Sequence, residues 1–197
     1  MNYLAHAYLS FNQPEILVGN LISDFVKGKK KFEYTPGIQQ GIALHREIDS
    51  FTDMHPVTRR AKEVFRPQYR LYAGAFTDVV FDHFLATDGN EFTKDSLLQF
   101  SANTYALTAP YLQQLPGKFQ QLFPYMQQQN WLNNYQYNWA IERSLAGVAK
   151  RAAYLSESAV AFSLFETHYS YLQDCYRQFF PALKNFVIEQ MSAHRNF

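Results

Sequence analysis

Apolar residues recur every three to four positions along most of this 197-residue chain, and this spacing constrains the fold more than any other feature. Between residues 37 and 51, for example, Ile38, Ile42, Ile48 and Phe51 fall on one broad apolar face of a helix. No segment shows sustained alternation of polar and apolar residues, and no Asn-Gly or Asp-Gly pair stands between β-branched runs. The sequence therefore predicts an all-α fold.

The periodic segments predict a single-domain helical bundle of about seven to nine helices, with boundaries good to roughly 2–4 residues. In the helix predicted over 69–85, Leu71 and Phe76 are expected to point inward. The predicted helices cover residues 15–26, 37–51, 56–65, 69–85, 96–111, 119–129, 135–150 and a long segment over 157–190 that Pro181 interrupts.

Composition narrows the class of protein. Hydrophobic residues make up 47% of the chain, which is enough for one domain, residues 1–197, with its own core. A net charge of +1 argues against a nucleic-acid binder, and no uncharged apolar run reaches the roughly 18 residues of a membrane span. The start of the chain does not read as a secretory signal, so a cytoplasmic location is expected. The single Cys175 is expected in the core and excludes a thiolate metal site.

Two segments, "GIALHREIDSFTD" and "TDVVFDHFL", carry histidine and aspartate at helical spacing. Residues four apart share a face of a helix, so His45 can converge with Asp49, and Asp78 with Asp82. Two like charges at this spacing destabilise a helix unless a cation lies between them. The spacing therefore favours a cation near the second pair.

Further polar residues fall inside apolar segments. Asp24 follows the run "LIS", His83 adjoins Asp82, and His6 lies in "NYLAHAYL". Imidazoles with carboxylates suit Mn²⁺, Fe²⁺, Zn²⁺ or Mg²⁺. A structural interpretation stays open at this point, because such pairs also stabilise helices and a core histidine can be satisfied by hydrogen bonds alone.

Basic residues concentrate in the first part of the chain. Residues 1–70 carry a net charge of +3 and the remainder −2. Apart from Arg46, these basic residues fall in two segments: Lys27, Lys29, Lys30 and Lys31, then Arg59, Arg60, Lys62, Arg66 and Arg70. The run "KGKKKFE" is interpreted either as a solvated loop or as a patch for phosphate or nucleic acid, and the low net charge argues against nucleic acid.

Four blocks together, "MNYLAHAYLS", "VGNLISDFVKG", "GIALHREIDSFTDMHP" and "TDVVFDHFL", resemble the acyl carrier protein phosphodiesterases. The resemblance implies removal of 4′-phosphopantetheine from holo acyl carrier protein, by metal-activated water attack on the phosphodiester, to leave the apo protein. It implies Mn²⁺ as the cofactor, with Mg²⁺, Fe²⁺ or Zn²⁺ as alternatives. It also implies a fold like that of the HD phosphohydrolases, although the adjacent pair here reads Asp82-His83 rather than His-Asp.

Residue roles follow from the same resemblance. Asp49 and His83 are the expected catalytic residues, each also a possible ligand, and Asn20 and Arg46 are expected to bind phosphate. The expected metal ligands are His6, Asp24, His45, Asp78 and Asp82. The expected docking residues for the acidic carrier protein are Lys27, Lys29, Lys30, Lys31, Arg59 and Arg60.

Two other functions compete with this hypothesis. The same metal ligands would serve an HD-like phosphohydrolase that acts on a nucleotide or another small phosphoester. A non-catalytic helical module that binds acidic proteins would use the basic residues alone, with its acids as helix caps and surface pairs. Neither a nucleic acid nor a membrane is expected as a partner.

Overall fold

The computed structural model describes residues 1–151 and 158–194. Within these ranges it contains α-helices and short 3₁₀ turns but no strand, which confirms the all-α prediction. The helices are α1 (Tyr3–Tyr8), α2 (Pro14–Ile22), α3 (Pro36–Met54), α4 (Pro56–Lys62), α5 (Arg66–Tyr69), α6 (Ala73–Thr87), α7 (Lys94–Thr108), α8 (Gly117–Gln128), α9 (Trp131–Asn134), α10 (Asn138–Arg151), α11 (Ser158–Thr167) and α12 (Tyr169–His194). The 3₁₀ turns are Ser23–Phe25, Gly28–Glu33, Arg70–Tyr72 and Ala109–Gln114.

Twelve α-helices in the described ranges are more than the sequence predicts. Two of them, α5 and α9, have four residues each and are too short to show a periodicity. The predicted break at Pro181 is wrong, because Pro181 lies inside α12 and the break falls before Tyr169. Helix α12 packs against α3, α4 and α6, and this tertiary packing outweighs the one backbone hydrogen bond that a proline removes.

The inward orientation predicted for Leu71 is also wrong. Its side chain is 97% exposed. The periodicity of the 69–85 segment does not apply here, because residues 70–72 form a 3₁₀ turn and α6 begins only at Ala73. Arg70 has a φ of 45°, which ends α5 and changes the chain direction before that turn.

Helices α2 and α3 pack with their backbones in close contact, because each has a glycine at the crossing. A Cβ atom on Gly19 would lie 2.1 Å from the carbonyl oxygen of Ile38. One on Gly41 would lie 2.2 Å from the carbonyl oxygen of Ile16. Only glycine permits this approach, which brings the backbone of α2 within hydrogen-bonding distance of side chains on α3.

Helix α1 is attached to α6 through its N-terminus. The first N–H groups of a helix have no partner within it. The buried carboxylate of Asp82 accepts hydrogen bonds from the backbone N–H groups of Leu4 at 2.7 Å, Asn2 at 3.1 Å and Ala5 at 3.3 Å. This cap fixes α1 on α6 and turns His6 toward the α2–α3 pair.

Aromatic side chains fill much of the core, as the composition predicts. Phe65, Phe76 and Phe81 are fully buried, and α12 contributes Phe179 and Phe180 from the opposite side. Cys175 is buried among them. In the described part of the chain, no helix is both long and apolar enough to cross a membrane.

Candidate metal centre

Three side chains from two helices converge at one end of the α2–α3 pair. Asp49 Oδ1 lies 3.3 Å from His6 Nε2, and Asp49 Oδ2 lies 3.2 Å from His45 Nε2. One potential ligand atom from each residue lies within 4.8 Å of the other two. His6 comes from α1, whereas His45 and Asp49 are one turn apart on α3. These three residues are able to hold a metal ion.

Asn20 of α2 orients both imidazoles. Its side-chain amide nitrogen donates to the His6 carbonyl oxygen at 2.9 Å and to Ser10 Oγ at 3.1 Å, so its Oδ1 is an acceptor. His6 Nδ1 lies 2.8 Å from that Oδ1, and His45 Nδ1 lies 2.8 Å from the Asn20 carbonyl oxygen. Both Nδ1 atoms are therefore donors. In a neutral imidazole Nε2 then keeps a lone pair, and both Nε2 atoms point toward the carboxylate of Asp49.

This arrangement brings groups that accept hydrogen bonds close to one another at the centre. Both Nε2 atoms are buried and lack a hydrogen-bond partner, although carboxylate oxygens lie close to them. The two rings are stacked, with centroids 3.9 Å apart and planes 14° from parallel. Lone pairs facing carboxylate oxygens repel each other unless a proton or a cation lies between them. Two imidazoles and a carboxylate, with Asn20 bonded to both Nδ1 atoms, are a donor set that could hold a divalent metal ion.

The pKa values show how strongly these groups interact. Burial, together with the neighbouring His45, lowers the pKa of His6 to about 4. Burial also acts to lower the pKa of His45, but the carboxylates of Asp24 and Asp49 outweigh it and raise that pKa to about 9. The pKa of Asp49 lies well below its ordinary value, because the two imidazoles outweigh the effect of burial. Without a bound metal, the centre thus holds an anionic Asp49, a neutral His6 and, near neutral pH, a protonated His45.

Asp24 and Asp78 stand on two sides of the triad and line the same cavity of about 310 Å³. Asp24 Oδ1 lies 3.4 Å from His45 Nε2, and its side chain is 77% exposed. The contact with His45 lowers the pKa of Asp24. Asp78 Oδ1 lies 3.0 Å from the Met1 amino group, which is also 3.6 Å from Asp49. Burial raises the pKa of Asp78. Asp24 is thus placed as a rim ligand, whereas Asp78 faces a cation of the chain itself.

The structure does not bring Asp82 or His83 into the triad. Both oxygens of Asp82 accept the backbone hydrogen bonds that cap α1, and burial raises its pKa to about 7. His83 lies on another face of α6, with Nδ1 2.8 Å from the Tyr135 carbonyl oxygen and Nε2 3.3 Å from the Tyr169 hydroxyl. The sequence places the two residues side by side, but consecutive residues of a helix point about 100° apart.

The two expected phosphate ligands also have other partners. Both N–H groups of the Asn20 amide are used within the protein, as described above. Arg46 is exposed and donates from Nη2 to the Val26 carbonyl oxygen at 3.2 Å, and it is not among the residues that line the cavity. Asn20 thus supports the imidazoles, a task that its position as the one amide in the apolar run "LVGNLI" could have suggested.

The basic residues expected to dock the carrier protein lie in two segments of the chain, one directly after Asp24 and the other on α4. Lys27, Lys29 and Lys30 are exposed on the turn that follows Asp24, and Lys31 lies over the Phe32 ring. Arg60 is exposed on α4 and bonds to Gln178 on α12. A wide groove of about 950 Å³ runs beside α4 and α5 and shares Ala75 and Asp78 with the metal-site cavity. Its basic residues are Arg59, Lys62, Arg66 and Arg70, and exposed Leu71 lies among them.

Fold and site together define an all-helical protein with a buried histidine–aspartate cluster that could hold a metal ion. Residues 1–183 match the family model of acyl carrier protein phosphodiesterases, and the chain belongs to this family. A protein of Yersinia enterocolitica with the name acyl carrier protein phosphodiesterase is 36% identical over 184 residues, which cover 93% of this chain and 95% of the relative. Proteins of the same name from Serratia proteamaculans and Photorhabdus laumondii are 36% and 35% identical, over 93% and 92% of this chain and 95% and 92% of their own lengths.

Family membership confirms the resemblance that the four sequence blocks carry. No solved structure matches the chain. The relationship to the HD phosphohydrolases therefore stays a prediction from the sequence.

Proposed function

We propose that this chain is a metal-dependent phosphodiesterase that removes 4′-phosphopantetheine from holo acyl carrier protein. The observation that carries the proposal is the pair of buried, unpartnered Nε2 atoms of His6 and His45, aimed at the carboxylate of Asp49. A divalent cation would satisfy both Nε2 atoms and the carboxylate at once, whereas the Met1 amino group contacts only Asp49 of the three residues. We take the reaction, cleavage of a phosphodiester, and the substrate, acyl carrier protein, from the family to which the chain belongs.

His6, His45 and Asp49 would hold the ion, with Asp24 at its exposed rim. A cation bound there would neutralise phosphoryl oxygens and lower the pKa of a water molecule. Two imidazoles and carboxylates suit Mn²⁺, which we propose as the native ion, and the buried Cys175 offers no thiolate to favour a softer metal. Asn20 would keep both imidazoles in the ligating tautomer, because each Nδ1–H is bound to one of its oxygens.

Side chains of opposite charge lie on the two sides of the site. On one side Asp49 and Asp24 are anionic, and they would repel a phosphodiester unless a cation were bound. On the other side the groove beside α4 and α5 carries four basic residues. A phosphodiester would therefore bind only when the centre is loaded, with its protein end toward the basic groove.

We place the docking surface for the carrier protein on this groove. Two of its basic residues are engaged by neighbouring acids: Lys62 Nζ lies 2.5 Å from Asp53, and Arg66 lies 3.2 Å from Glu63. Arg59 and Arg70 have no carboxylate partner among the described residues. Arg59 donates from Nε to the Asp53 carbonyl oxygen at 3.4 Å, and we propose that both guanidinium groups meet an acidic protein, with the 97% exposed Leu71 beside Arg70 as an apolar contact.

The reaction itself is tested with purified protein, Mn²⁺ and holo acyl carrier protein. We expect the carrier protein to lose the mass of one phosphopantetheine group. The Asp49→Asn variant should give no such loss, whereas Asp174→Asn, on an exposed acid of α12, should react as the wild type does. Turnover of nucleotides with no change in the carrier protein would contradict the proposal and favour a small-molecule phosphohydrolase.

Docking is tested by charge reversal at the two unpaired arginines. In Arg59→Glu/Arg70→Glu, we expect KM for holo acyl carrier protein to rise about tenfold or more at low salt with kcat little changed, because steering charges act mainly on association. The control is Lys118→Glu on α8, which makes the same kind of charge change on a remote exposed surface. An equal rise in KM in both proteins would show that net charge matters rather than this groove.

A further inference from the structure

A second cavity of about 380 Å³ lies next to the metal-site cavity, and none of the expected site residues lines it. Its size falls within the range of small-molecule binding pockets. Helix α9, one face of α10, the start of α1 and Val79 of α6 form its walls. The aromatic lining residues are Tyr3, Trp131, Tyr135 and Trp139.

The three cavities follow one another in a fixed order. The second cavity shares Asn2 and Tyr3 with the metal-site cavity, and the basic groove shares Ala75 and Asp78 with it. The second cavity and the groove have no lining residue in common in the described part of the chain. The metal centre therefore lies between an electropositive groove and this second cavity.

The lining of the second cavity is aromatic with a few hydrogen-bonding groups. Trp131, Tyr135 and Trp139 offer ring surface, and Arg143 lies over the Trp139 ring at 6.0 Å. Trp131 Nε1 donates to Gln129 Oε1 at 3.1 Å, which fixes the indole. The hydroxyl of Ser144, on α10, has no hydrogen-bond partner among the described residues. Such a lining suits a neutral, flexible chain with both apolar groups and amides.

The wall that faces α6 is held from behind by His83. Its Nδ1 donates to the carbonyl oxygen of Tyr135 at 2.8 Å, and its ring packs against Phe165. Val79, on the same helix as His83, lines the cavity. Tyr135 and Val79, on this side of the cavity, are thus anchored to the buried interior of the bundle.

We infer that this second cavity binds the pantetheine arm of the prosthetic group, while the phosphate lies at the metal centre and the carrier protein lies on the basic groove. The inference rests on the proposed function. Once esterified to phosphate, the pantetheine arm carries two amides, one hydroxyl group, a geminal dimethyl group and a terminal thiol, and it has no charge near neutral pH. It matches the rings and the hydrogen-bonding groups of this lining, and it would gain little from the basic groove on the opposite side.

The two tryptophans of the chain provide a direct probe, because both line this cavity. We expect pantetheine, which has no phosphate, to change the tryptophan emission of the Mn²⁺-loaded protein in a saturable manner. Inorganic phosphate alone should leave the emission unchanged. No saturable response to millimolar pantetheine would overturn the inference.

A variant that fills the cavity gives an independent test. A Cβ atom on Gly147 meets no atom within 4 Å, so Gly147→Leu should fold and place its side chain in open cavity space. We expect it to lose the fluorescence response and to raise KM for holo acyl carrier protein ~10-fold or more, as steric exclusion from a pocket does. Its Mn²⁺ content, measured by mass spectrometry of the metal, should equal that of the wild type.

The matched control is Gly117→Leu, at an exposed glycine of α8 that also has open space around its Cβ position. It should retain both the fluorescence response and KM. Equal KM in Gly147→Leu and the wild type would overturn the inference even if holo acyl carrier protein is cleaved. Conversely, a pantetheine response in a protein that does not cleave the carrier protein would leave this binding site standing and remove the proposed reaction.

Discussion

Three histidines are buried in the described part of the chain, and they divide into two environments. In each of them Nδ1 lies 2.8 Å from a carbonyl or amide oxygen: Asn20 provides it for His6 and His45, and Tyr135 for His83. The difference is at the other nitrogen. Nε2 of His6 and of His45 points to carboxylates, whereas Nε2 of His83 lies 3.3 Å from the Tyr169 hydroxyl.

The group that Nε2 faces distinguishes an imidazole that we propose as a metal ligand from a structural one. A hydroxyl both donates and accepts, so it satisfies the neutral His83 without any added atom. A carboxylate only accepts, so the neutral His6 beside Asp49 needs a cation to complete its environment. Burial and an ordered Nδ1 are common to both environments and do not distinguish them.

The strongest test of this difference is to neutralise the shared carboxylate. In Asp49→Asn, we expect Mn²⁺ binding to be lost and kcat to fall about 10³-fold or more, because a catalytic metal contributes several kcal/mol to the transition state. Steady-state kinetics on holo acyl carrier protein and metal analysis measure both. The Asp174→Asn control should match the wild type, and a wild-type rate in Asp49→Asn would end the distinction between the two environments.

A smaller effect is expected from the residue that orients the pair. Asn20→Ala removes the acceptor for His6 Nδ1 and should weaken metal affinity and kcat by about 10–100-fold, the usual effect of losing the residue that orients a ligating histidine. Ser10→Ala is the control, since it removes another partner of the same amide without touching either imidazole. Similar losses in the two variants would show that general packing, rather than the tautomer of His6, is responsible.

The close contact between α2 and α3 should affect the position of His45, and with it metal affinity, but should not affect His83. In Gly41→Ala, the new methyl group meets the Ile16 carbonyl oxygen, and we expect a loss of about 1–3 kcal/mol in the free energy of unfolding. Metal affinity should fall as well, because Asn20 and His45 face each other across this crossing. Urea unfolding and Mn²⁺ titration measure the two effects. Gly117→Ala, in open space, should change neither.

The smallest effect on activity is expected at His83. Burial lowers the pKa of His83, so the folded protein holds it neutral while the unfolded chain titrates near the ordinary 6.5. The unfolded state therefore binds more protons below that pH, and stability is lost as the pH falls from 6.5 toward the folded pKa. In His83→Asn, which keeps a donor for the Tyr135 carbonyl oxygen, kcat should stay within about twofold of the wild type.

Urea unfolding at pH 7.5 and at pH 5.5 measures the titration effect. The wild type should lose more free energy of unfolding between these two pH values than His83→Asn does. A large fall in kcat in His83→Asn at constant metal content would instead restore His83 as a catalytic residue.

The sequence predicts the helical class and the family well, because helical periodicity and the four blocks are local features. It also brings out His45 and Asp49, which are one turn apart on a single helix. What it does not resolve depends on contacts between distant segments. The capping of α1 by Asp82, across about eighty positions of sequence, and the use of Asn20 by two imidazoles are examples.

The pattern of residue types alone also predicts the position of some surface residues wrongly. Leu71 fits the apolar periodicity, but the 3₁₀ turn at residues 70–72 places it in solvent. The cavity that holds both tryptophans forms only where α9 and α10 meet α1, so no local pattern marks it. The types of side chain in the sequence indicate the chemistry of the candidate centre. Which residues surround that centre depends on how the helices pack.

The most direct test is to identify the ligands of Mn²⁺ in the loaded protein by pulsed electron paramagnetic resonance. We expect nitrogen couplings from two imidazoles in the wild type, from one in His6→Gln, and unchanged couplings in His83→Asn. Mn²⁺ without imidazole nitrogen couplings, or couplings that disappear in His83→Asn and persist in His6→Gln, would contradict the assignment of His6, His45 and Asp49 as the metal centre.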